Sequence, residues 1–302
     1  MTQQRNAPAV SVVVPTCGRP ELLARCLEAL SRQMLHARLF EIIVVDDSRT
    51  RHGPAVARNR GWRRARAEII AFTDDDTEPR ADWLANGLSA FRDDVEAVAG
   101  RVAMPVPEVP SDYERDARGL ERSEFVTANC FCRRQILEEV GGFDEQFRLA
   151  WREDSDLQFR LLQAGARIVH APDAVVVHPV RPAPWGVSIR QQRKVMFDAL
   201  LYKKHRKLYR QRIRATPRWD YYAITASLAG ALVSFFMGLD GFFMASALLW
   251  TALTAALCAK RLRGTSRSWS HVLEMALTSM LIPPLAVFWR LVGSLRFRVA
   301  FV

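Results

Sequence analysis

A chain of 302 residues, 49% apolar and 25% charged, has the length for one large catalytic domain and something smaller, and its average composition is that of a globular protein. Its formal net charge of +11 points to nucleic acid, anionic lipid or a phosphorylated substrate. Position decides among them: twelve Lys or Arg and one acid, Asp198, lie between Arg181 and Arg218, just ahead of a long apolar run where membrane headgroups would be met, and with no aromatic-and-basic RNA-binding pattern beside them nucleic acid is set aside.

In chain order, Met1 to Ala9 is polar, and the apolar run Val10 to Val14 is too short for the core of a signal peptide, which predicts a catalytic part that is not exported. Val10–Val14 is β-branched and stopped by Pro15, so it reads as a buried strand. Glu21 to Ser31 has helical spacing of Leu22, Leu23, Cys26, Leu27 and Leu30. Glu41–Val45 is a second strand ending in Asp46-Asp47-Ser48, Ala55 to Ala67 an Arg-rich helix, and Glu68–Phe72 a third strand ending in Thr73-Asp74-Asp75-Asp76. Trp83 to Phe91 is helical, Val95 to Val102 strand-like, Pro105 to Pro110 a loop, and Ser111 to Glu124 charged without a clear period. Strands alternating with helices predict βαβ units in an α/β fold with a mostly parallel sheet. The fully apolar strands agree, since parallel strands are covered on both faces. Five cysteines, Cys17, Cys26, Cys130, Cys132 and Cys258, match no zinc or redox spacing and read as reduced thiols in a cytosol-facing domain.

In open α/β sheets ligands bind beyond the carboxyl ends of the strands. Pro15–Arg19, Asp46–Ser48 and Asp74–Asp76 are therefore expected to converge on one crevice. Asp74-Asp75-Asp76 offers oxygen ligands to a hard divalent cation, which would neutralise charge on a leaving diphosphate; an acidic triplet alone is usually a solvated loop or helix cap, and its place after a buried strand favours the metal. Asp46 and Asp47 have the position of carboxylates that accept from a base or ribose, or else cap a turn. Arg58, in Arg58-Asn59-Arg60-Gly61, is a phosphate-binding guanidinium or one charge on a solvated helix face. Glu153-Asp154-Ser155-Asp156 opens a helix ended by Gly165, where an acid is often only a cap. A transferase that inverts an anomeric centre needs a carboxylate to take the acceptor's proton, and Asp154 is the first candidate, Glu153 the next. His178 ends another apolar strand, Val175–Val177, as a structural residue, a third metal ligand or a phosphate contact.

Ser11-Val-Val-Val-Pro-Thr16, Val44-Val-Asp-Asp-Ser48, Ala57-Arg-Asn-Arg-Gly61, Ile70-Ala-Phe-Thr-Asp-Asp-Asp76, Thr127-Ala-Asn129 with Val140-Gly-Gly-Phe-Asp144, and Arg152-Glu-Asp-Ser-Asp-Leu157 stand in the order and rough spacing of one family. Together they resemble the family 2 glycosyltransferases of the GT-A fold, membrane-anchored bacterial type, over about residues 10–180. The resemblance implies a nucleotide-diphosphate sugar donor (UDP-, GDP- or dTDP-), Mg²⁺ or Mn²⁺, and inversion at the sugar carbon. It implies that Pro15 and Thr16 line the nucleoside pocket, Asp46 contacts base or ribose, and Arg58 lies near the nucleotide. Asp74 and Asp76 take the outer places of the family's D-x-D, with Asp76 as direct ligand. Asn129 and Gly141–Asp144 shape the acceptor side, and Asp154 is the base. The processive members' Q-x-x-R-W is missing: the nearest stretch, Gln191 to Met196, has no Trp, which argues against a processive synthase.

Tyr221–Gly238 and Gly241–Ala259 carry no charge and have the length of bilayer spans, with Leu239 and Asp240 between them. Basic residues flank both outer ends, which predicts a transmembrane hairpin with both feet in the cytoplasm. Val272–Trp289 contains Glu274 and Pro283-Pro284 and reads as an interfacial or re-entrant segment, a third span being the alternative. Ser188 to Arg214 reads as a basic amphipathic helix on an anionic surface, or as a helix packed on the catalytic sheet with a solvated basic face. The expected organisation is a GT-A catalytic domain over 1–187, a basic juxtamembrane segment over 188–218, the hairpin over 219–259 and the last segment over 260–302. The expected location is the inner (plasma) membrane, multi-pass, with the catalytic domain cytoplasmic. The acceptor is then membrane-associated, in cell-envelope polysaccharide or glycolipid assembly. Rival readings are a polyprenyl-phosphate sugar synthase and a non-catalytic nucleotide-binding scaffold; the presence of Asp74, Asp76 and Asp154 speaks against the scaffold. A nucleotidyltransferase lacks its Gly-rich, Lys-containing phosphate loop here.

Overall fold

The computed structural model describes residues 7–301, so most of the polar N-terminal stretch lies outside the described residues. The chain forms two compact units, Met1–Pro105 with Arg118–Val180, and Val106–Ala117 with Arg181–Val302. The first holds β1 (Val10–Thr16), α1 (Pro20–Ser31), β2 (Phe40–Asp46), α2 (Pro54–Arg64), β3 (Ile69–Phe72), β4 (Glu78–Pro79), α3 (Trp83–Ser89) and β5 (Ala97–Ala103). After α4 (Asp112–Ala117), which belongs to the second unit, it continues with β6 (Cys130–Arg133), α5 (Arg134–Glu139), α6 (Glu153–Gln163) and β7 (Ile168–Val177).

Both α1 and α2 open on a proline, whose missing N–H costs nothing in the first helical turn. Every residue of β1 is buried. Val13, with Ile70 and Phe72, packs under α2, α5 and α6, while Val12, Val14 and Ala71 pack with Cys26 and Leu30 of α1 and Trp83 and Leu84 of α3. This two-sided burial is why the strands read as unbroken apolar runs. The sheet has seven strands in the order β2-β1-β3-β6-β5-β7-β4. β1 pairs in parallel with β2 and β3, β5 with β7, and only β6 and β4 run the other way. The GT-A-like, mostly parallel architecture follows, and the chain direction switches between β2 and β3 on either side of β1. In open α/β sheets such a switch is where ligands bind.

The α2–β1 contact depends on Gly61, where a Cβ would collide with the side chain of Val13. Gly61→Ala is expected to cost about 1–3 kcal/mol by overpacking, read from denaturant unfolding beside Gly119→Ala, whose Cβ meets nothing within 4 Å. A change in the control as large as that at Gly61 would refute the packing account. All five cysteines are free.

The second unit holds α4, α7 (Val187–Gln191), α8 (Met196–Lys204), α9 (Arg206–Leu208), α10 (Trp219–Phe236), α11 (Asp240–Leu262) and α12 (Trp269–Phe297). α10 and α11 pack as a hairpin turned at Gly238, whose φ of 65° suits glycine. By length and composition, α11 and α12 are each able to cross a bilayer, with mean hydropathies of 1.8 and 1.6 over 18 residues. α10 is apolar on the side that α11 leaves open, with Leu232, Val233, Phe235 and Phe236 exposed.

Two expectations for this region change. Residues 188–214 form a series of short helices and turns instead of one amphipathic helix, and Met196, Leu200 and Leu201 are buried. Within the second unit α12 is their apolar partner: Phe197 lies 6.0 Å from Phe297, and Gly293 sits against the backbone of Met196. α12 itself runs unbroken through Pro283-Pro284, so no re-entrant break forms there. The same strip accompanies α12 along its length. The Trp185 indole donates to the Ser270 carbonyl, the Gly186 N–H to Glu274, and Arg193 lies over Trp289.

Candidate active site

Thr16 at the end of β1 pairs in register with Asp46 at the end of β2, and β3 runs out into Asp74-Asp75-Asp76 beside them. Thr73 and Thr77 brace that turn. Their hydroxyls lie 2.7 Å apart, Thr73 donates to the Ala128 carbonyl, and Thr77 donates to the Asp74 carbonyl. Threonines on both sides of an acidic triplet were the sequence signal for this bracing, and sequence reasoning missed it.

The three aspartates have different partners. Asp75 is fully buried. Its carboxylate accepts from the Thr16 hydroxyl at 2.6 Å and pairs with Arg19 at 2.8 Å. Burial pushes its carboxyl above the ordinary value against the pull of Thr16 and Arg19. Asp75, Thr16 and Arg19 thus pin the β1 loop to the β3 loop. Arg19 also approaches Asp76 at 3.8 Å and is about a third exposed (32%). Pro15 is buried just before Thr16.

Asp74 and Asp76 turn the other way, toward His178 from the end of β7. One donor atom from each of Asp74, Asp76 and His178 lies within 4.8 Å of the others, the one such grouping among the described residues. His178 Nε2 is 3.7 Å from Asp76, and its Nδ1 is buried without a hydrogen-bond partner. Two carboxylates and an imidazole with an unused nitrogen are a donor set that a divalent cation such as Mn²⁺ can take. About a hundred residues separate His178 from the triplet, and only the sheet brings them together.

Arg58, expected near a phosphate, is buried and donates to Asp74 at 2.6 Å and to Glu153 at 3.1 Å. Its guanidinium also lies over the ring of Phe143 at 5.7 Å. Two carboxylates in a dry setting require such a partner, which explains the side chain's commitment. Burial raises the Asp74 carboxyl, but the charge of Arg58 and then of His178 outweighs it and holds the group below the ordinary carboxylate value. Glu153 goes the other way: burial, and then the neighbouring Asp154, push it up to about 7 despite Arg58. Its second oxygen, Oε2, is buried without a partner.

Asp154 is half-buried and accepts from the Ser155 N–H at 2.6 Å. Burial raises its carboxyl, though Ser155 and Arg152 pull it down. Arg152, just before the pair, has φ 73°, a left-handed conformation that costs a non-glycine residue energy. This strained turn aims the first turn of α6, and nothing in the sequence pattern revealed it. Asp156 is fully buried and accepts from Arg160 at 2.9 Å, so it is a structural partner in its own helix.

At β2, Asp46 is exposed, and the Ser48 N–H at 2.8 Å helps to hold its carboxyl below the ordinary value. Asp47 is buried and accepts from Thr50 and from the Gly53 N–H, which builds the 47–53 loop. Asn129, expected on the acceptor side, is fully buried. It donates to the carbonyls of Arg101 and Ala174 and accepts from the Trp83 indole, stapling β5, β7 and α3. The Gly141–Asp144 turn is gripped by Asn59, which accepts from the Phe143 N–H and donates to the Phe143 carbonyl, each at 2.8 Å. A cavity of about 350 Å³ opens beside β5, lined among others by Arg101, Arg122, Glu124 and His170. Glu124 ties it to α6 by accepting from Gln158 at 3.0 Å.

A sequence profile described as "Glycosyl transferase family group 2" matches residues 69–291, and one described as "Glycosyl transferase family 2" matches residues 11–51. The chain belongs to the family 2 glycosyltransferases. It is a glycosyltransferase, and nucleotide sugars are that family's donors. Over 222 residues it is 27% identical to glycosyltransferase AglE of Haloferax volcanii, which covers 62% of this chain and 72% of that protein. It is 33% identical over 210 residues to a pre-mycofactocin glycosyltransferase of Mycobacterium tuberculosis, covering 57% of this chain and 43% of the relative. The mannosyltransferase PcManGT of Pyrobaculum calidifontis, solved in complex with GDP-Man and Mn²⁺, superposes with a TM-score of 0.54 at 18% identity, over 97% of this chain and 87% of that one. At that identity the likeness speaks for the GT-A-like fold of this family 2 enzyme.

Proposed function

We propose that this enzyme transfers a sugar, with inversion, from a nucleotide-diphosphate sugar to a membrane-associated, lipid-linked acceptor in cell-envelope polysaccharide or glycolipid assembly. One observation carries the reading. Asp74, Asp76 and His178 converge at the switch of the sheet, and Arg58 joins Asp74 directly to Glu153, the neighbour of Asp154. Donor and acceptor chemistry are thereby within one network.

In this reading Asp74, Asp76 and His178 hold Mg²⁺ or Mn²⁺, which supplies charge neutralisation for the departing diphosphate. Asp46, exposed at the end of β2, accepts from the nucleoside. Asp154 takes the proton of the acceptor hydroxyl as that oxygen bonds to the anomeric carbon and the bond to the diphosphate breaks. Its raised affinity for protons makes it a better base than an ordinary aspartate. The groove beside β5 offers the acceptor a place next to α6. The apolar hairpin supports a membrane-bound acceptor, with the enzyme in the plasma membrane and its first unit in the cytoplasm. The strip packed along α12 carries Arg190, Arg193 and Lys194, so an in-plane position of α12 at the interface costs less than a span.

The test is thermal stability of the full chain in detergent with UDP-, GDP- and dTDP-sugars, with and without Mn²⁺, beside Asp76→Ala. A GDP-sugar with Mn²⁺ is the first probe, because PcManGT holds GDP-Man and Mn²⁺. At a hundred times its Kd a ligand stabilises the native state by about 2.7 kcal/mol. The expected result is one donor class that stabilises only with the cation and only the parent chain. Equal stabilisation of Asp76→Ala, or without Mn²⁺, overturns the assignment of the cation.

A further inference from the structure

We infer that the second unit carries a separate binding site for a lipid phosphate, formed by Arg290 and Arg214 beside the foot of α10. Arg290 is in α12, 5% exposed, with its guanidinium over the ring of Phe301 at 5.1 Å. Its Nε is buried with no acceptor, and no carboxylate among the described residues pairs with the guanidinium. A buried cation with only an aromatic ring for company is costly, and such cations are normally paired. Among the described residues no counter-charge is paired with it.

A second cation arrives at the same place. The Phe301 ring packs edge-on against Tyr209 at 5.5 Å, and the turn that begins at Tyr209 closes with the Arg214 N–H donating to the Tyr209 carbonyl at 2.9 Å. The Arg214 backbone is thereby tied to the residue whose ring packs on Phe301. Its guanidinium is held below the ordinary arginine value by burial and then by the charges of Arg218 and Arg290. Arg218 is paired with Asp220 at 2.7 Å. Asp198 is the acid that faces Arg214, and it is already engaged elsewhere.

Two guanidiniums, neither in an ion pair with a carboxylate among the described residues, fit a phosphate ester, which accepts from planar forks in pairs. The position names the source. Arg214 and Arg218 directly precede α10, and Trp219, 62% exposed, opens that helix as an interfacial aromatic would. The inference rests on the membrane reading of the hairpin and is independent of the catalytic reading.

The experiment uses the full chain, with Arg290→Met and Arg214→Gln. Thermal midpoints are taken with short-chain phosphatidic acid, with the matching phosphatidylcholine, and with inorganic phosphate. Lipid retention is counted by native mass spectrometry from nanodiscs of phosphatidylcholine containing phosphatidic acid. The parent chain is expected to retain one phosphatidic acid and to be stabilised by it. Arg214→Gln should bind it about tenfold more weakly, the loss of one charge-assisted hydrogen bond. Arg290→Met should lose the lipid effect and melt higher than the parent without lipid, because an uncompensated charge has gone. That rise separates lost binding from misfolding. Nucleotide-sugar stabilisation should be unchanged in both variants. Equal protection by phosphatidylcholine, equal lipid retention by Arg290→Met, or protection by inorganic phosphate as strong as that by the lipid overturns the proposal.

Discussion

Asp154→Asn is expected to lower kcat by about 10²–10⁴-fold, the usual worth of a positioned base, while leaving donor binding and thermal stability near those of the parent. The amide oxygen of Asn can still accept from the Ser155 N–H, so the first turn of α6 keeps its form. In the parent the base must be ionised, and burial raises its carboxyl above the ordinary value. Activity should therefore fall as pH drops, with a midpoint above the roughly 4 of a free aspartate. Glu153→Gln should keep that limb, because Glu153 lies beside the base and is held by Arg58. Turnover by Asp154→Asn within threefold of the parent would remove Asp154 from the reaction.

The second large effect is on stability. Arg58→Leu takes one cation from between two carboxylates, Asp74 and Glu153, and should cost about 3–5 kcal/mol near neutral pH, as breaking a buried ion pair does. The sign of its pH dependence follows from linkage. Without Arg58 both carboxyls have folded values raised above their unfolded ones, so the folded state binds protons more readily and loses stability as pH rises through those values. The defect should thus be larger at pH 8 than at pH 5. A defect that is small, or that grows on acidification, would contradict the bridging role. Adding Glu153→Leu to Arg58→Leu should restore part of the loss, since the stranded carboxylate is gone.

The strands and the acids at their ends were legible because each depends on local pattern. A β-branched run buried on both faces announces itself, and acids that directly follow such runs fall at the carboxyl ends. The individual side-chain roles were legible only where the chain neighbour decides them, as with Asp46 and Ser48. Asp75, Arg58 and Asn129 look like ligand contacts in the sequence, and each has a distant protein partner, at Arg19, Glu153 and Trp83 respectively. Such partners are chosen by tertiary packing, which no local period encodes. His178 was legible as a candidate, but its meeting with Asp76 depends on β7 crossing the sheet. The charged stretch after Pro110 had no clear period because the chain changes unit there, α4 belonging to one and the turn from Arg118 to the other.

That last feature bears on modularity. Pro110 and α4 are held by the far end of the chain. Asp112 is gripped by Arg261 at 2.8 Å, and the Pro110 carbonyl accepts from the Ser266 N–H at 2.9 Å. The second unit is therefore no detachable tail. A cut after Val180 would leave residues 106–117 behind, still threaded through the catalytic sequence and stripped of their partners. On the proposed membrane reading, a soluble form of this enzyme calls for two edits, removal of the C-terminal helices and replacement of the 106–117 excursion by a short polar loop. Domain exchange with a relative would have to carry both pieces together.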